Sequence, residues 1–211
     1  GHGRSQTPVV PLTAARMTTA LLEMMDRVIT EPAIVFGNSL GGIAAIRYAH
    51  LRPERVMALV LASPGGAPMA WPELLEFKKG FDLSSNRAAM AFTRRFLGPP
   101  QPGMGFVARG VRVRMSRAGP RSLLEEVTPD VLLHPDEVRQ LRPPTLVMWG
   151  DEDDVLPRDN RRFFSENLPA HGRFEALPGF GHSPYLDDLS TFGARLQAFV
   201  DGVLKTRDTA A

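Results

Sequence analysis

The sequence predicts an α/β fold, a mostly parallel sheet flanked by helices with a helical cap inserted into it. Three observations predict it: short apolar runs bounded by turn residues, helical periodicities between those runs, and one long interruption of the alternation. The stretch Thr13 to Ile29 repeats apolar residues at Ala14, Met17, Leu21, Met24 and Val28. That spacing fits an amphipathic helix with Thr13 as its N-cap. Ala33 to Phe36 is a continuous apolar run between Pro32 and Gly37, as expected of a strand buried on both faces. Gly41 to Arg52 reads as a helix and Val56 to Ala62 as a second buried strand. The pattern resumes with Thr145 to Trp149 (strand), Arg158 to Leu168 (helix), Arg173 to Leu177 (strand) and Asp187 to Leu204 (helix). Strands alternating with helices pack as a parallel sheet covered on both faces.

Between the second and third strands the texture changes. Residues 64–142 are rich in Pro, Gly, Met, Phe and Arg and lack the alternation. The chain therefore divides into a first part of the core (1–63), a cap or lid insertion (64–142) and a second part of the core (143–211). Long excursions of this kind commonly serve as lids.

Composition narrows the function. Hydrophobic residues make up 43% of the 211 residues, enough for a substantial core. No run approaches the roughly 20 apolar residues that span a bilayer. The absence of cysteine removes disulfides, zinc–thiolate sites and a cysteine nucleophile. A formal charge of +2 is too small to argue for nucleic acid. The charge is unevenly placed, however, with ten Lys and Arg against three acids between Pro64 and Ser122. A solvated helical surface explains this most simply; a positive mouth for anionic substrates or an anionic lipid surface is the sharper alternative.

The chemistry centres on "GNSLGG", residues Gly37 to Gly42, placed where an apolar strand gives way to a helix. A Gly-x-Ser-x-Gly can be a plain strand–turn–helix connection. At the carboxyl end of a parallel strand it can also hold Ser39 out as a nucleophile, with small residues needed at positions 37, 41 and 42. The amide of Leu40 then points toward an oxyanion beside the serine, aided by the helix N-terminus. Two more strand ends carry chemistry. "GDEDDVLP" places Asp151, Asp153 and Asp154 after the third strand, and "GFGHSP" places His182 after the fourth. The order Ser39, Asp153, His182 is the Ser…Asp…His order of this architecture.

These motifs resemble the α/β-hydrolase fold enzymes over nearly the whole chain outside the insertion. The resemblance rests on Gly37-Asn38-Ser39-Leu40-Gly41-Gly42, on Gly150-Asp151-Glu152-Asp153 with Pro157, and on Gly181-His182. In that family the acid stands three residues after the glycine and four before the proline, which selects Asp153. Asp151 and Asp154 then cap the turn or face solvent. His50, His134 and His171 are expected in surface or packing roles. "GHGRS" at Gly1 to Ser5 resembles the family's Gly-x-Gly-x-Ser turn rather than its His-Gly oxyanion loop. The implied chain is an N-terminally truncated, C-terminal part of a longer enzyme, without the loop that gives the second oxyanion donor.

The resemblance implies a serine esterase that needs no metal or organic cofactor. Its expected substrate is a small ester or acyl compound with an apolar part, held under a Met- and Phe-rich cap. Two alternatives remain open. Gly37 to Gly42 and Ser63-Pro64-Gly65-Gly66 also resemble the carbon–carbon bond hydrolases of aromatic ring-cleavage products, although that subgroup has Trp where this chain has Ser183. A non-catalytic binding protein, or an inactive fragment, is the other. Oligomeric state is left open, and so is the compartment, with the cytoplasm as default.

Overall fold

The computed structural model describes residues 13–97, 102–116 and 124–209. Gly1 to Ser5 lie outside them. Four strands, β1 (Ala33–Ser39), β2 (Val56–Pro64), β3 (Thr145–Gly150) and β4 (Arg173–Leu177), form one parallel sheet in the spatial order β1-β2-β3-β4. Val35 lies beside Leu59, Leu61 beside Val147, and Val147 beside Phe174. All four carboxyl ends therefore open on one rim, and each strand delivers its following loop there.

Because side chains alternate along a strand, the sheet has two distinct apolar faces. Val35, Leu59, Leu61 and Val147 pack against Ile43 and Ile46 of α2 (Leu40–Leu51) and Phe164 of α7 (Arg158–Asn167). Ala58, Val60, Leu146 and Met148 meet Phe192, Phe199 and Val203 of α9 (Leu189–Asp208). The helix α1 (Ala14–Val28) lays Leu22 and Met25 on the first face, and the Thr13 side chain accepts the Arg16 N–H at 3.3 Å as its N-cap. Asp26 ties α1 to the end of α2 through Arg52 at 2.9 Å and Arg55 at 3.4 Å.

The connection from β2 to β3 carries α3 (Trp71–Lys79), α4 (Asn86–Phe96) and α5 (Met104–Met115). These helices have cores of their own. One comprises Leu83, Ala89, Phe92 and Ala108, the other Leu74, Val127 and Leu132. The chain then rejoins the sheet: Leu133, Leu141, and Val138 of α6 (Pro135–Arg139) belong to the first sheet face.

Most element boundaries shift by a residue or more from the sequence expectation, β2 running on to Pro64 and the last helix to Asp208, and two of the shifts have a clear local reason. β1 runs past Phe36 through Gly37, Asn38 and Ser39, because these residues stay in register with Leu61, Ala62 and Pro64 of β2. It is not buried on both faces as expected: it ends the strand order, and Ile34 and Phe36 are exposed while Val35 is buried. The last helix starts at Leu189, because the Asp188 carboxylate caps it by accepting the Ser190 and Thr191 N–H groups at 2.9 and 3.1 Å. A separate short turn of helix, α8 (Pro184–Asp187), precedes it.

Candidate active site

The junction of β1 and α2 is strained at one residue. Ser39 has φ 52° and ψ −126°, a left-sided conformation that a non-glycine residue adopts at a cost of about 1–3 kcal/mol. The surroundings hold it there. A Cβ on Gly37 would lie 2.8 Å from the Gly41 carbonyl oxygen and 2.9 Å from Ala45 Cβ, so the strand end and the helix touch backbone to backbone. A Cβ on Gly42 would sit 2.7 Å from Pro64 Cβ. The Gly65 N–H donates to the Ser39 carbonyl at 2.9 Å, fixing the turn from β2. Position 41 departs from expectation: a Cβ there would meet nothing within 4 Å, so close packing does not require glycine. Leu40 is the first residue of α2, where backbone N–H groups have no partner inside the helix and the dipole is positive.

The acid and the imidazole meet because two loops cross in contact. A Cβ on Gly150 would collide with the carbonyls of Phe180 and Gly181, so only glycine lets the loop after β4 cross the end of β3. The Asp151 N–H donates to Leu177 at 3.0 Å and the Glu152 N–H to Phe180 at 2.8 Å. The outcome is a buried pair, His182 Nδ1 to Asp153 Oδ2 at 2.9 Å, with both side chains 1% exposed. Asp153 Oδ1 accepts the Val155 and Leu156 N–H groups at 2.9 and 3.2 Å, so the carboxylate is held from both ends. A carboxylate only accepts, which places the ring proton on Nδ1 and leaves Nε2 as the basic nitrogen.

Neither neighbouring acid bonds the imidazole. Asp151 pairs with Arg161 at 2.8 Å, and Asp154 contributes its backbone carbonyl, which accepts from Arg95 Nε at 2.9 Å. The other histidines are equally remote from this chemistry. His50 Nε2 lies 2.6 Å from the Glu137 carbonyl, His134 caps α6, and His171 is exposed in a loop.

Ser39 and His182 are not hydrogen-bonded to each other among the described residues. Such nucleophile–base contacts often tighten only in the reacting complex. What joins their two elements is Asn38, a residue the sequence reading left without a role. Its Nδ2 donates to the Ala62 carbonyl at 2.8 Å and to the His182 carbonyl at 3.2 Å. Its Oδ1 accepts the Ser183 and Tyr185 hydroxyls, each at 3.3 Å. Both donors and both lone pairs of the amide are therefore used. The available signal was a polar amide at the tip of an otherwise apolar strand.

Two further contacts escaped sequence reasoning because they join distant segments. The Phe96 ring stands edge-on to the His182 ring at 5.3 Å, and Arg95 Nη1 and Nη2 donate to the Gly80 and Val155 carbonyls at 3.2 and 3.4 Å. The helix α4 is thus pinned above the imidazole by the loop that carries the acid.

Below α5 lies a cavity of about 250 Å³ with Ser39 and Leu40 in its wall and Met69, Leu74, Phe77 and Leu156 among its lining. None of the lining side chains among the described residues is charged. An outer cavity of about 400 Å³ shares Phe81, Met115 and Leu124 with it and adds Lys78, Asp82, Ser84 and Glu125. No group of three or more His, Asp or Glu side chains among the described residues could hold a metal ion.

A parallel sheet with a serine on a strained strand–helix turn, and a buried acid–imidazole pair on the same rim, defines the α/β-hydrolase class. The chain belongs to the alpha/beta hydrolase family, whose model matches residues 1–192. It is similar to the pimeloyl-[acyl-carrier protein] methyl ester esterase of Xylella fastidiosa, with 27% identity over 95% of this chain and 81% of that protein. It is also similar to lipase 3 of Moraxella sp., with 27% identity over 97% of this chain and 68% of that protein. Among solved structures it is similar to the 2-hydroxy-6-oxo-6-phenylhexa-2,4-dienoate hydrolase from Rhodococcus sp. strain RHA1, with TM-score 0.80 and 21% identity over 94% of this chain and 76% of that one. A serine hydrolase from Cycloclasticus zankles gives TM-score 0.76 and 23% identity over 95% of this chain and 76% of that one. At these identities the two solved structures speak for the fold alone.

Proposed function

We propose that this protein is a serine hydrolase that cleaves carboxylic esters through Ser39, His182 and Asp153. The observation that carries the reading is the buried 2.9 Å pair of His182 and Asp153 on the same rim as the strained Ser39. His182 Nε2 takes the Ser39 proton as the hydroxyl attacks the ester carbonyl, and Asp153 favours the imidazolium that forms. The Leu40 N–H, unpaired within its helix, faces the negative oxygen of the tetrahedral intermediate. The His182 imidazolium gives its proton to the departing alkoxide oxygen, and the neutral alcohol leaves. Water, deprotonated by His182, then cleaves the acyl-enzyme to the acid and restores the Ser39 hydroxyl.

The cavity directs the substrate class. Its uncharged lining beside Ser39 favours an apolar acyl part, while the outer cavity with Lys78, Asp82 and Glu125 suits the more polar end of the ester. Within segment 64–142, α3 to α5 act as the lid, while Leu133, Val138 and Leu141 belong to the sheet face. Relatives named as an esterase and a lipase support the same reaction class. Cleavage of carbon–carbon bonds in ring-cleavage acids is less well supported: among the described residues lining the inner cavity there is no cation for a substrate carboxylate. The chain also has Ser183 where that subgroup has Trp.

Labelling with a fluorophosphonate and turnover of short nitrophenyl esters test this reading. The expected result is one adduct on Ser39, lost together with ester turnover in Ser39→Ala. Hydrolysis left intact by Ser39→Ala would remove the serine from the mechanism.

A further inference from the structure

The helix α5 presents a face to solvent that the proposed reaction does not use. Phe106 is 87% exposed, the most exposed large hydrophobic side chain among the described residues, and Val113 is 57% exposed. On a helix of 3.6 residues per turn, Phe106, Gly110 and Val113 fall in one row. The same period puts Arg109 on one flank of that row and Arg114 on the other, both exposed. The opposite side of the helix is buried through Met104 and Ala108.

The two neighbouring helices α4 and α5 themselves carry charge of one sign, with six arginines and no Asp or Glu. Arg95 and Arg112 are engaged, Arg112 donating to Asn86 Oδ1 at 2.7 Å and the Ser84 carbonyl at 3.1 Å. Arg109 and Arg114 make no ion pair with an acid among the described residues.

We propose that the α5 crest, Phe106 and Val113 between Arg109 and Arg114, docks this protein onto an anionic lipid surface. The chemistry fits both layers of such a surface: arginines meet lipid phosphates while the phenyl and valyl groups enter the acyl boundary. Shape favours lipid over a folded partner. The crest offers two exposed apolar side chains in one row of a single helix, whereas a stable protein interface needs about 800 Å² of complementary surface on each side. The inner side of the same helix contributes Met115 to the cavity beside Ser39, so docking would bring that cavity next to a lipid phase. The proposal concerns adsorption to a surface; no helix among the described residues is long and apolar enough to cross a membrane.

Vesicle co-sedimentation of the intact chain tests it, using phosphatidylcholine alone and phosphatidylcholine with phosphatidylglycerol. Binding is expected to the anionic vesicles, weakening as ionic strength rises. Phe106→Ser should lower the partition constant roughly tenfold. Arg109→Gln and Arg114→Gln should each lower it about fivefold. Circular dichroism melting and Ser39 labelling are expected to stay unchanged in these variants, which separates this surface from the catalytic reading. Failure to pellet with anionic vesicles, or equal pelleting of wild type and all three variants, overturns the proposal. So does self-association without lipid that Phe106→Ser abolishes, since the crest would then be a contact between copies.

Discussion

Asn38 shows how one side chain can set the relative position of two others. Ser39 belongs to the end of β1 and His182 to the loop after β4, yet the intervening amide bonds the Ala62 and His182 carbonyls at 2.8 and 3.2 Å. Replacing Asn38 by Ala removes the two N–H donors and the accepting oxygen, so the loop carrying His182 loses its tie to β1 while keeping those to the loop after β3. A misplacement of about 1 Å at a reacting group can cost on the order of 100-fold in rate. Asn38→Ala is therefore expected to lower kcat for an ester by about 10- to 100-fold with little change in KM. Asn38→Asp, which keeps the acceptors and loses the donors, should recover little. Steady-state kinetics and the rate of Ser39 labelling check this, and an unchanged kcat in Asn38→Ala would remove the positioning role.

At the scale of an element, the β1–α2 junction separates two glycines that look equivalent in the motif. Gly37 has backbone and Ala45 Cβ within 3 Å of where its own Cβ would stand; Gly41 has open space. Gly37→Ala must push the helix start away from the strand end, a strain of about 1–3 kcal/mol placed where the serine is held. It should lower the melting temperature and slow Ser39 labelling. Gly41→Ala should leave the labelling rate unchanged and either preserve stability or raise it by up to about 1 kcal/mol, because alanine restricts the unfolded chain and favours helix. Thermal unfolding of the two variants side by side distinguishes them.

Across the whole molecule, apolar packing is divided. The sheet faces hold Leu59, Val60, Leu146 and Phe199, whereas α4 and α5 rest on a small separate cluster around Phe92 and Ala108. Elements with few buried contacts open at lower free energy than the sheet they cover. Arg95 is the main polar tie, fastening α4 to the Asp154 and Val155 carbonyls at 2.9 and 3.4 Å. Hydrogen exchange is expected to be faster in α4 and α5 than in β2 and β3. Arg95→Ala should speed exchange in the two helices about tenfold, the equivalent of one charge-assisted hydrogen bond of ~1.5 kcal/mol, and leave the sheet unaffected. Uniform acceleration across lid and sheet would show that the two unfold as one unit.

Much of this protein was legible in its sequence, because the signals concerned are local. Continuous apolar runs identified β1, β2 and β3, and the mixed run Arg173–Leu177 agrees to the residue. Glycines at tight approaches marked the serine turn at Gly37 and the loop crossing at Gly150. Boundaries were less legible: β1 continues through polar Asn38 and Ser39 because its ladder with β2 continues, a fact about the partner strand. Contacts between segments far apart in the chain were out of reach. The Asp153–His182 distance, the four bonds of Asn38, the seating of Phe96 over the imidazole and the exposure of Phe106 depend on which loops the sheet brings together. The sequence by itself determined the element types and the residues with the right chemistry, since periodicity and turn preference act over a few residues. Tertiary structure alone decided which of those residues touch and which face water, since both follow from packing two distant stretches of chain against each other.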